Sequence, residues 1–561
     1  MRISLAGPSY TSGSVNAACE QTMNLIPELI EAPGEPVRMV LYGRPGLKHF
    51  SNVVPTKIRG LWAGGGRLFI CHGNTLSEVT SAGGVTPRTG TIAELGTDPD
   101  PAQMFANGHQ LLVVAGHKVY IDNGAGPVVA KFALGGTGNT VTSTTSLNYL
   151  SGDTPVAGWV GQLIRVNNRV YTITGLITTP NIMLQLSPAP PNENGVRYLI
   201  AMGADLDGVT GGFLDGYFIV NRVPNPTAPS ATDDPGRQFN VSALNDGTIW
   251  DPLMYGVKEG HSDYINSILC DHEQLVLFGS ETTEVWQNTG NADFPFQRIP
   301  GAYIQDGSVA VYAPCSVGTT FYWLGGGSDG QTRAYRANGF RPERISTHAQ
   351  EWTWNTPDFR VRDAVSYSYI NAGHLYWVVT FWQQQRCWVF DVNTSLWHEW
   401  GLWNAPTSGF ARQKAYYHAF VPEWGDGGKH IVGDPSTGYL YEMSASFYDD
   451  DGTAMQCQRA FPHLINENQY AYHHRLEVLV EMGALGVTDP LPQLGLDWSD
   501  DHGHSFAHGR LVNMAPSGNY TMRMAWRRLG KARDRVYRIG VNGHTKVALI
   551  DTYLEATPGF A

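Results

Sequence analysis

Hydrophobic positions along the chain fall into short strands separated by glycine-rich or Asn/Asp turns, and the pattern recurs. Ile58–Trp62, a Gly-Gly-Gly turn, Arg67–Cys71 and Leu76–Val79 make one group. Met104–Phe105, an Asn-Gly turn, Leu111–Val114 and Lys118–Ile121 make a second of the same shape. Later groups lie at Gly212–Val220, Ile265–Trp286, Val309–Arg336, Val361–Phe390 and Ala415–Tyr441. The clearest, HLYWVVTFWQQQRCWVFDVNTSLWHEW from His374, reads as two strands, a polar turn, a strand, an Asn-Thr turn and an aromatic strand. A repeat of about 40–50 residues with about four strands is the period of a propeller blade. The pattern predicts an all-β chain whose main body is a β-propeller of six or seven degenerate blades, built from residues 56–134 and 201–443. No long amphipathic helix interrupts it, and the one helical turn expected is Ala349–Trp354.

Three segments depart from the blade period. Residues 135–200 begin Gly/Thr/Ser-rich and then alternate apolar and polar positions, with Asn167-Asn168 at a hairpin turn, which predicts a small β-domain inserted into a blade loop. After Tyr441, strands are expected at Gln456–Phe461, Arg475–Glu481, Leu494–Trp498, Tyr520–Leu529, Val536–Val541 and Lys546–Glu555. Their alternation predicts a β-sandwich-like platform domain over 444–561. Residues 1–55 read as an N-terminal strap that joins the platform and, like it, lies outside the propeller.

Composition agrees with a chain of short strands and tight turns: 64 glycines, 11% aromatic residues and only 16% charged residues in 561. The net charge of −12 argues against a protein that grips nucleic acid, since such affinity comes from neutralising phosphates. The densest basic cluster, Arg527, Arg528, Lys531, Arg533, Arg535 and Arg538, reads as a solvated face or a protein contact. The six cysteines, Cys19, Cys71, Cys270, Cys315, Cys387 and Cys457, are scattered without a C-x-x-C pair, so buried thiols are expected. The opening MRISLAGPSYTSGS lacks the apolar stretch of a signal peptide, and no apolar run approaches the length of a membrane helix.

Several motifs suggest chemistry, and their contexts argue against it. Gly326-x-Ser328-x-Gly330 matches a nucleophile elbow, and Gly325–Gly330 a dinucleotide-binding loop. Both require a helix to follow, whereas TTFYWLGGGSDGQTRAYRA reads as a hairpin. Ser499-Asp-Asp501-His-Gly503-His-Ser505-Phe506 resembles an Asp box, a hairpin-capping turn device. His502, His504 and His508, beside Asp500 and Asp501, would share a face and a metal if they lay on a strand, but a loop context favours polar turn residues. Asp449–Gly452 lacks EF-hand spacing and reads as a solvated turn or linker. The Trp-rich stretch Trp377–Trp403 reads as blade core in preference to a sugar platform. No catalytic, cofactor-binding or metal-ligating residue is expected, and no cofactor. A propeller glycosidase or depolymerase is the enzymatic alternative, and a receptor-binding tail protein the other, since glycoside hydrolysis needs two placed carboxylates that spacing alone does not identify.

The segment GPSYTSGSVNAACEQTMNLIPELIE, with Cys19, Asn24, Leu25, Pro27 and Glu28, resembles the start of the packaged-DNA stabilisation family, the tail hub or nozzle proteins of short-tailed bacteriophages. A Pro45-Gly46-Leu47 element follows. A middle block carrying Gly279, Ser280, Glu284, Trp286, Gly290, Phe294, Phe296 and Gly307, and the segment from Trp498 through Arg538, are similar too. The resemblance implies a virion protein of the phage tail, assembled in the bacterial cytoplasm without membrane insertion. It implies a hexameric ring below the portal and its head-to-tail adaptor, contacts to tailspikes or fibres and to a needle or plug, and DNA passing through the channel without sequence-specific binding. Together with the acidity of the chain, it leads us to expect a neutral to acidic bore.

Overall fold

The computed structural model describes residues 2–31, 38–167, 169–227, 234–482, 491–516 and 518–559. The chain is all-β, and the α-helix among the described residues is the two-turn His348–Trp354. It starts one residue before the expected Ala349 because Thr347 caps it: its hydroxyl accepts from the Gln350 N–H while the Gln350 side chain reaches back to the Thr347 N–H. Two compact units divide the chain, one of residues 1–68, 79–85 and 308–561 and one of residues 69–78 and 86–307. Four strands, Ile58–Gly64, Arg67–His72, Thr75–Val79 and Val85–Pro87, lie where the division falls.

The second unit contains three antiparallel four-stranded sheets of blade type. The first runs Gln103–Ala106, Leu111–Ala115, Lys118–Asp122, Pro127–Val129. The next two are Gly211–Leu214 to Tyr255–Val257 and Ile265–Asp271 to Phe296–Ile304. Alternate residues of these strands bury Leu112, Val114, Val119, Ile121, Phe218 and Val220 in one core and Ile219, Phe239, Val241, Leu275 and Leu277 in another. Between the first two sheets, residues 134–200 form a closed six-stranded barrel. Its first strand, Leu134–Val141, pairs both with Ser146–Gly152 and with the last, Glu193–Ile200, so no edge is left open. Arg165 and Arg197 of the barrel pair with Asp246 and Asp251.

The first unit holds three more blade sheets and a β-sandwich. Cys315–Val317, Thr320–Gly326, Thr332–Asn338 and Arg341–Arg344 form one blade, and Ala364–Asn371, His374–Phe381, Arg386–Asp391 and Leu396–Asn404 the next. The third consists of Tyr417–Val421, Lys429–Gly433, Tyr439–Ser444 and an N-terminal strand, Gly46–Asn52. That last strand corrects the expectation that residues 1–55 lie wholly outside the blades. The pairing explains the correction: Leu47 and Ser51 are buried while Lys48 and His49 are exposed, and the strand completes a half-buried sheet with a register shift between His49 and Ser51.

In the sandwich, one sheet orders Leu25–Ile30, Arg38–Gly43, Ala548–Pro558, Ala471–Val480 and Met524–Arg527. The facing strands are Thr453–Ala460, Asp534–Gly543, Gln493–Ser499 and Ala507–Asn513. Their inward residues, among them Leu25, Leu41, Leu476, Leu494, Leu496, Met524 and Ile539, make one core. The strand expected over Tyr520–Leu529 is shorter, Met524–Arg527. Tyr520 is 69% exposed, so its apolar ring does not extend the buried alternation.

Candidate functional site

In the first unit, the strap, a blade and the sandwich meet on a set of buried polar side chains. Asn24 is the first of them. It lies between two strands at φ +56°, a left-handed conformation that asparagine tolerates better than most residues. Its Nδ2 donates to the Gly401 carbonyl on the blade at 2.8 Å and to the Gln456 carbonyl on the sandwich at 2.7 Å. Its Oδ1 accepts from the Gly401 N–H and from Arg44 Nε, both at 2.8 Å. Arg44 in turn donates to Asp450 at 2.7 Å, and both side chains are buried. The Asp449–Gly452 segment is the turn expected from its composition, exposed at Asp451 and Gly452, but it is tied down and not freely solvated throughout. Asp450 is sealed in an ion pair, Asp451 accepts from the His49 N–H at 3.1 Å, and Asp449 meets His544 at 3.0 Å.

A second arginine, Arg459, holds the first residues of the chain. Its guanidinium donates to the carbonyls of Leu5 at 2.9 Å and Pro8 at 3.0 Å, to the Thr22 hydroxyl at 2.9 Å and to Glu20 at 2.7 Å. Burial lowers its pKa, and Glu20 opposes that shift. A Cβ at Gly7 would stand 2.5 Å from Arg459 Nη2, so the close approach needs glycine there.

Two of the six residues of the expected basic cluster, Arg535 and Arg538, pair with carboxylates within the chain. Arg535 makes a two-bond contact with Asp500 at 2.6 and 2.8 Å, and its guanidinium lies near the rings of Trp498 and Tyr537. Arg538 pairs with Asp497 at 2.9 Å and covers Phe506 at 4.1 Å. Lys531 and Arg533 lie over Tyr470.

Ser499–Phe506 makes the turn its motif describes. The Ser499 hydroxyl accepts from the Gly503 N–H at 2.8 Å, and Asp501 accepts from the Ser505 N–H at 2.9 Å. Hydrogen bonds from the Ser499 and Ser505 hydroxyls hold the Asp501 carboxyl well below the usual carboxylate range. The turn places His502 at φ +60° with Nδ1 2.6 Å from Asp534 Oδ2. His463 Nδ1 lies 2.8 Å from the same oxygen, and its Nε2 is 3.0 Å from the Val15 carbonyl of the strap. His504 does not join this group: it contacts Asn16 at 2.7 Å, and the His508 side chain lies outside the described residues. Cys19 sits 3.6 Å from His463 Nε2, with burial pushing its thiol pKa up to about 11.

The remaining motifs stand as follows. Ser328 occupies the turn between Thr320–Gly326 and Thr332–Asn338, where the Gly330 N–H donates to the Gly327 carbonyl at 3.0 Å and a strand follows. Glu284 of the middle block is fully buried and accepts from the Gly260 N–H at 2.6 Å and from Trp286 Nε1 at 3.1 Å. Trp377, Trp397 and Trp400 are core residues, whereas Trp403 is 38% exposed. Trp403 lines a cavity of about 450 Å³ with Gln21, Arg386, Phe410 and Gln458, in which the one carboxylate among the described lining residues is Glu399.

Blade-type sheets, a β-sandwich and a strap that joins a blade to that sandwich define, among the described residues, a protein of propeller-and-sandwich type, and sequence comparison places it among phage structural proteins. Residues 201–448 match the family model described as the bacteriophage P22 Gp10 β-propeller, and residues 456–557 match that of the Gp10 β-sandwich. The two matches together take in more than half of the chain, which belongs to this packaged-DNA stabilisation family. Comparison with curated proteins found no match. Among solved structures, the WD40 domain of Toxoplasma gondii coronin is similar at 9% identity and a TM-score of 0.32, over 79% of this chain and 88% of that one. The Neurospora crassa Pan2 WD40 domain is similar at 8% and 0.27, over 72% and 96%. An exo-β-1,3-galactanase from Phanerochaete chrysosporium is similar at 9% and 0.22, over 77% and 97%. At these TM-scores none of the three carries an argument.

Proposed function

We propose that the chain is a non-enzymatic subunit of the tail of a short-tailed phage, a hub or nozzle that assembles as a closed ring of six copies. In this reading it continues the DNA channel below the head-to-tail adaptor, helps retain the packaged genome, and offers surfaces to tailspikes or fibres and to a needle or plug. The observation that carries it is the match of both the propeller and the sandwich to one phage family. The polar clasp supports it, because a subunit under load from packaged DNA needs its modules locked together, and a buried ion pair such as Arg44–Asp450 favours one arrangement. A closed ring requires a head-to-tail interface whose rotation returns on itself. The virion is where the protein acts, after assembly in the host cytoplasm, and among the described residues no helix is long and apolar enough to cross a membrane.

The non-enzymatic part of the proposal rests on chemistry. Glycoside hydrolysis uses two flanking carboxylates, and the Trp403 cavity presents only Glu399 among its described lining residues, already paired with Arg386 at 2.6 Å. The bore is proposed to be neutral to acidic, so that DNA slides without counterion release. Mass measurement on the purified chain tests the ring: six copies are expected, and a monomer at tail-assembly concentrations would refute it. Duplex DNA bound at physiological salt more tightly than about 1 μM, beyond the non-specific range, would overturn the sliding channel.

A further inference from the structure

We propose that His463, His502 and Asp534 form a binding site for one divalent transition-metal ion of zinc-like chemistry, which ties together three segments of the sandwich beside the N-terminal strap. The three ligand atoms lie within 4.8 Å of one another and come from three separate segments. Two imidazole nitrogens and a carboxylate oxygen are the donors such an ion takes in open, three-residue sites.

The surroundings of His463 fix which of its ring nitrogens carries a hydrogen. Its Nε2 is 3.0 Å from the Val15 carbonyl, which only accepts, so Nε2 carries a hydrogen. In a neutral ring Nδ1 then presents a lone pair, and that lone pair points at both oxygens of Asp534, at 3.0 and 2.8 Å. Lone pair against carboxylate is repulsive, and His463 and Asp534 are 7% and 6% exposed, so little water is present to relieve it. A positive charge between them resolves the conflict. An Nδ1 ligand whose other nitrogen donates to a backbone carbonyl is the arrangement found around metal-bound histidines, where that second hydrogen bond sets the tautomer.

His502 completes the set. Its Nδ1 meets the same Asp534 oxygen at 2.6 Å, and the Asp-box turn holds it at φ +60°, a conformation that a non-glycine residue rarely adopts. Metal–ligand bonds of about 2.0–2.2 Å require the donors to separate to roughly 3.3 Å, a small opening. His502, 55% exposed, sits at the surface where that movement is cheapest and where water can fill the remaining coordination position. The rival occupant is a second proton on His463, and it makes a different experimental prediction.

The test is zinc binding by the untagged full chain, stripped with chelator and followed by calorimetry and elemental analysis, with Co²⁺ absorption as a second readout. One equivalent per chain is expected, together with a melting temperature that rises with zinc. His502→Ala, at an exposed position that should fold normally, should weaken binding at least tenfold and abolish the Co²⁺ ligand-field bands. Asp534→Asn should do the same. His504→Ala, whose side chain contacts Asn16 instead, should bind like the parent. Substoichiometric binding by the parent chain, or binding unchanged in His502→Ala, overturns the proposal and leaves the protonated His463 reading. The outcome is independent of whether the chain forms a six-membered ring.

Discussion

The inserted barrel and the strap clasp are held by opposite means. All six barrel strands lie within residues 134–200 and close on themselves, Leu134 opposite Ile200. Its interior is apolar: Leu147, Ile164, Tyr171, Ile173, Leu184, Leu186 and Tyr198 pack around Trp159. The clasp joins residues hundreds of positions apart, Arg44 with Asp450 and Arg459 with Leu5, and does so with buried charges and carbonyls. Hydrophobic burial is non-directional and suffices where neighbouring hairpins already constrain one another. Segments brought together from opposite ends of a chain need directional contacts to set register, and buried ion pairs are costly when broken. Local closure thus yields robustness, and distant closure yields specificity at the risk of large single-residue effects.

The largest expected effect tests that last point. Asp450→Ala leaves the Arg44 guanidinium buried without its carboxylate and should cost about 3–5 kcal/mol. Urea unfolding followed by tryptophan fluorescence should show an early transition, and a shift under 1 kcal/mol would mean that the pair is solvated after all. In the barrel, Leu184→Ala should cost about 2–5 kcal/mol through lost burial and a cavity. Hydrogen exchange should show the loss confined to residues 134–200, and loosening of strap amides would mean that the barrel and the clasp are not independent.

Acid provides a sharper separation. His398 is fully buried and its pKa is lowered to about 4 by burial, while the hydrogen-bonded pair His418 and His430 falls to about 3 and about 4 for the same cause. A histidine whose folded pKa lies below its unfolded value of about 6.5 binds its proton preferentially in the unfolded state. Its contribution is complete above pH 6.5 and is lost as pH falls toward 4, on the order of 1–3 kcal/mol per residue. Residues 134–200 contain no histidine. Between pH 6.5 and 4 the blade containing His398 should lose exchange protection while the barrel keeps it, and equal loss in both would sink the assignment. The smallest effect is Ser328→Ala in an exposed hairpin turn, a few tenths of a kcal/mol in melting experiments. Labelling of Ser328 by a serine-reactive phosphonate would contradict its role as a turn residue.

The blade strands were legible in the chain because each is a contiguous period-two run between strong turn residues, as in His374–Phe381 and Arg386–Asp391. The barrel and sandwich were legible as breaks in that period. The clasp was not, since its members carry no local signal: Arg44 and Asp450 are ordinary surface types in sequence, and only pairing across the fold buries them. The left-handed Asn24 was flagged solely through family resemblance. The histidines show the same limit. Spacing grouped His502 with His504 and His508, whereas the fold sets it beside His463 and Asp534. A turn reverses the chain within that tract, as its loop context implies, and the two side chains that meet His502 come from distant segments that spacing does not reveal.

The blade strand Gly46–Asn52 carries a consequence for how the molecule is made. Its partner, Tyr439–Ser444, is synthesised almost 390 residues later, Asn52 pairing with Tyr439. At about 5–20 residues per second the early strand emerges from the ribosome roughly 20–80 s before its mate exists. During that interval Leu47 has no sheet to enter, and the strand is an unpaired edge exposed to every neighbouring nascent chain. The protein therefore finishes this blade only after translation is nearly complete, and the period of waiting is when chaperone protection matters most.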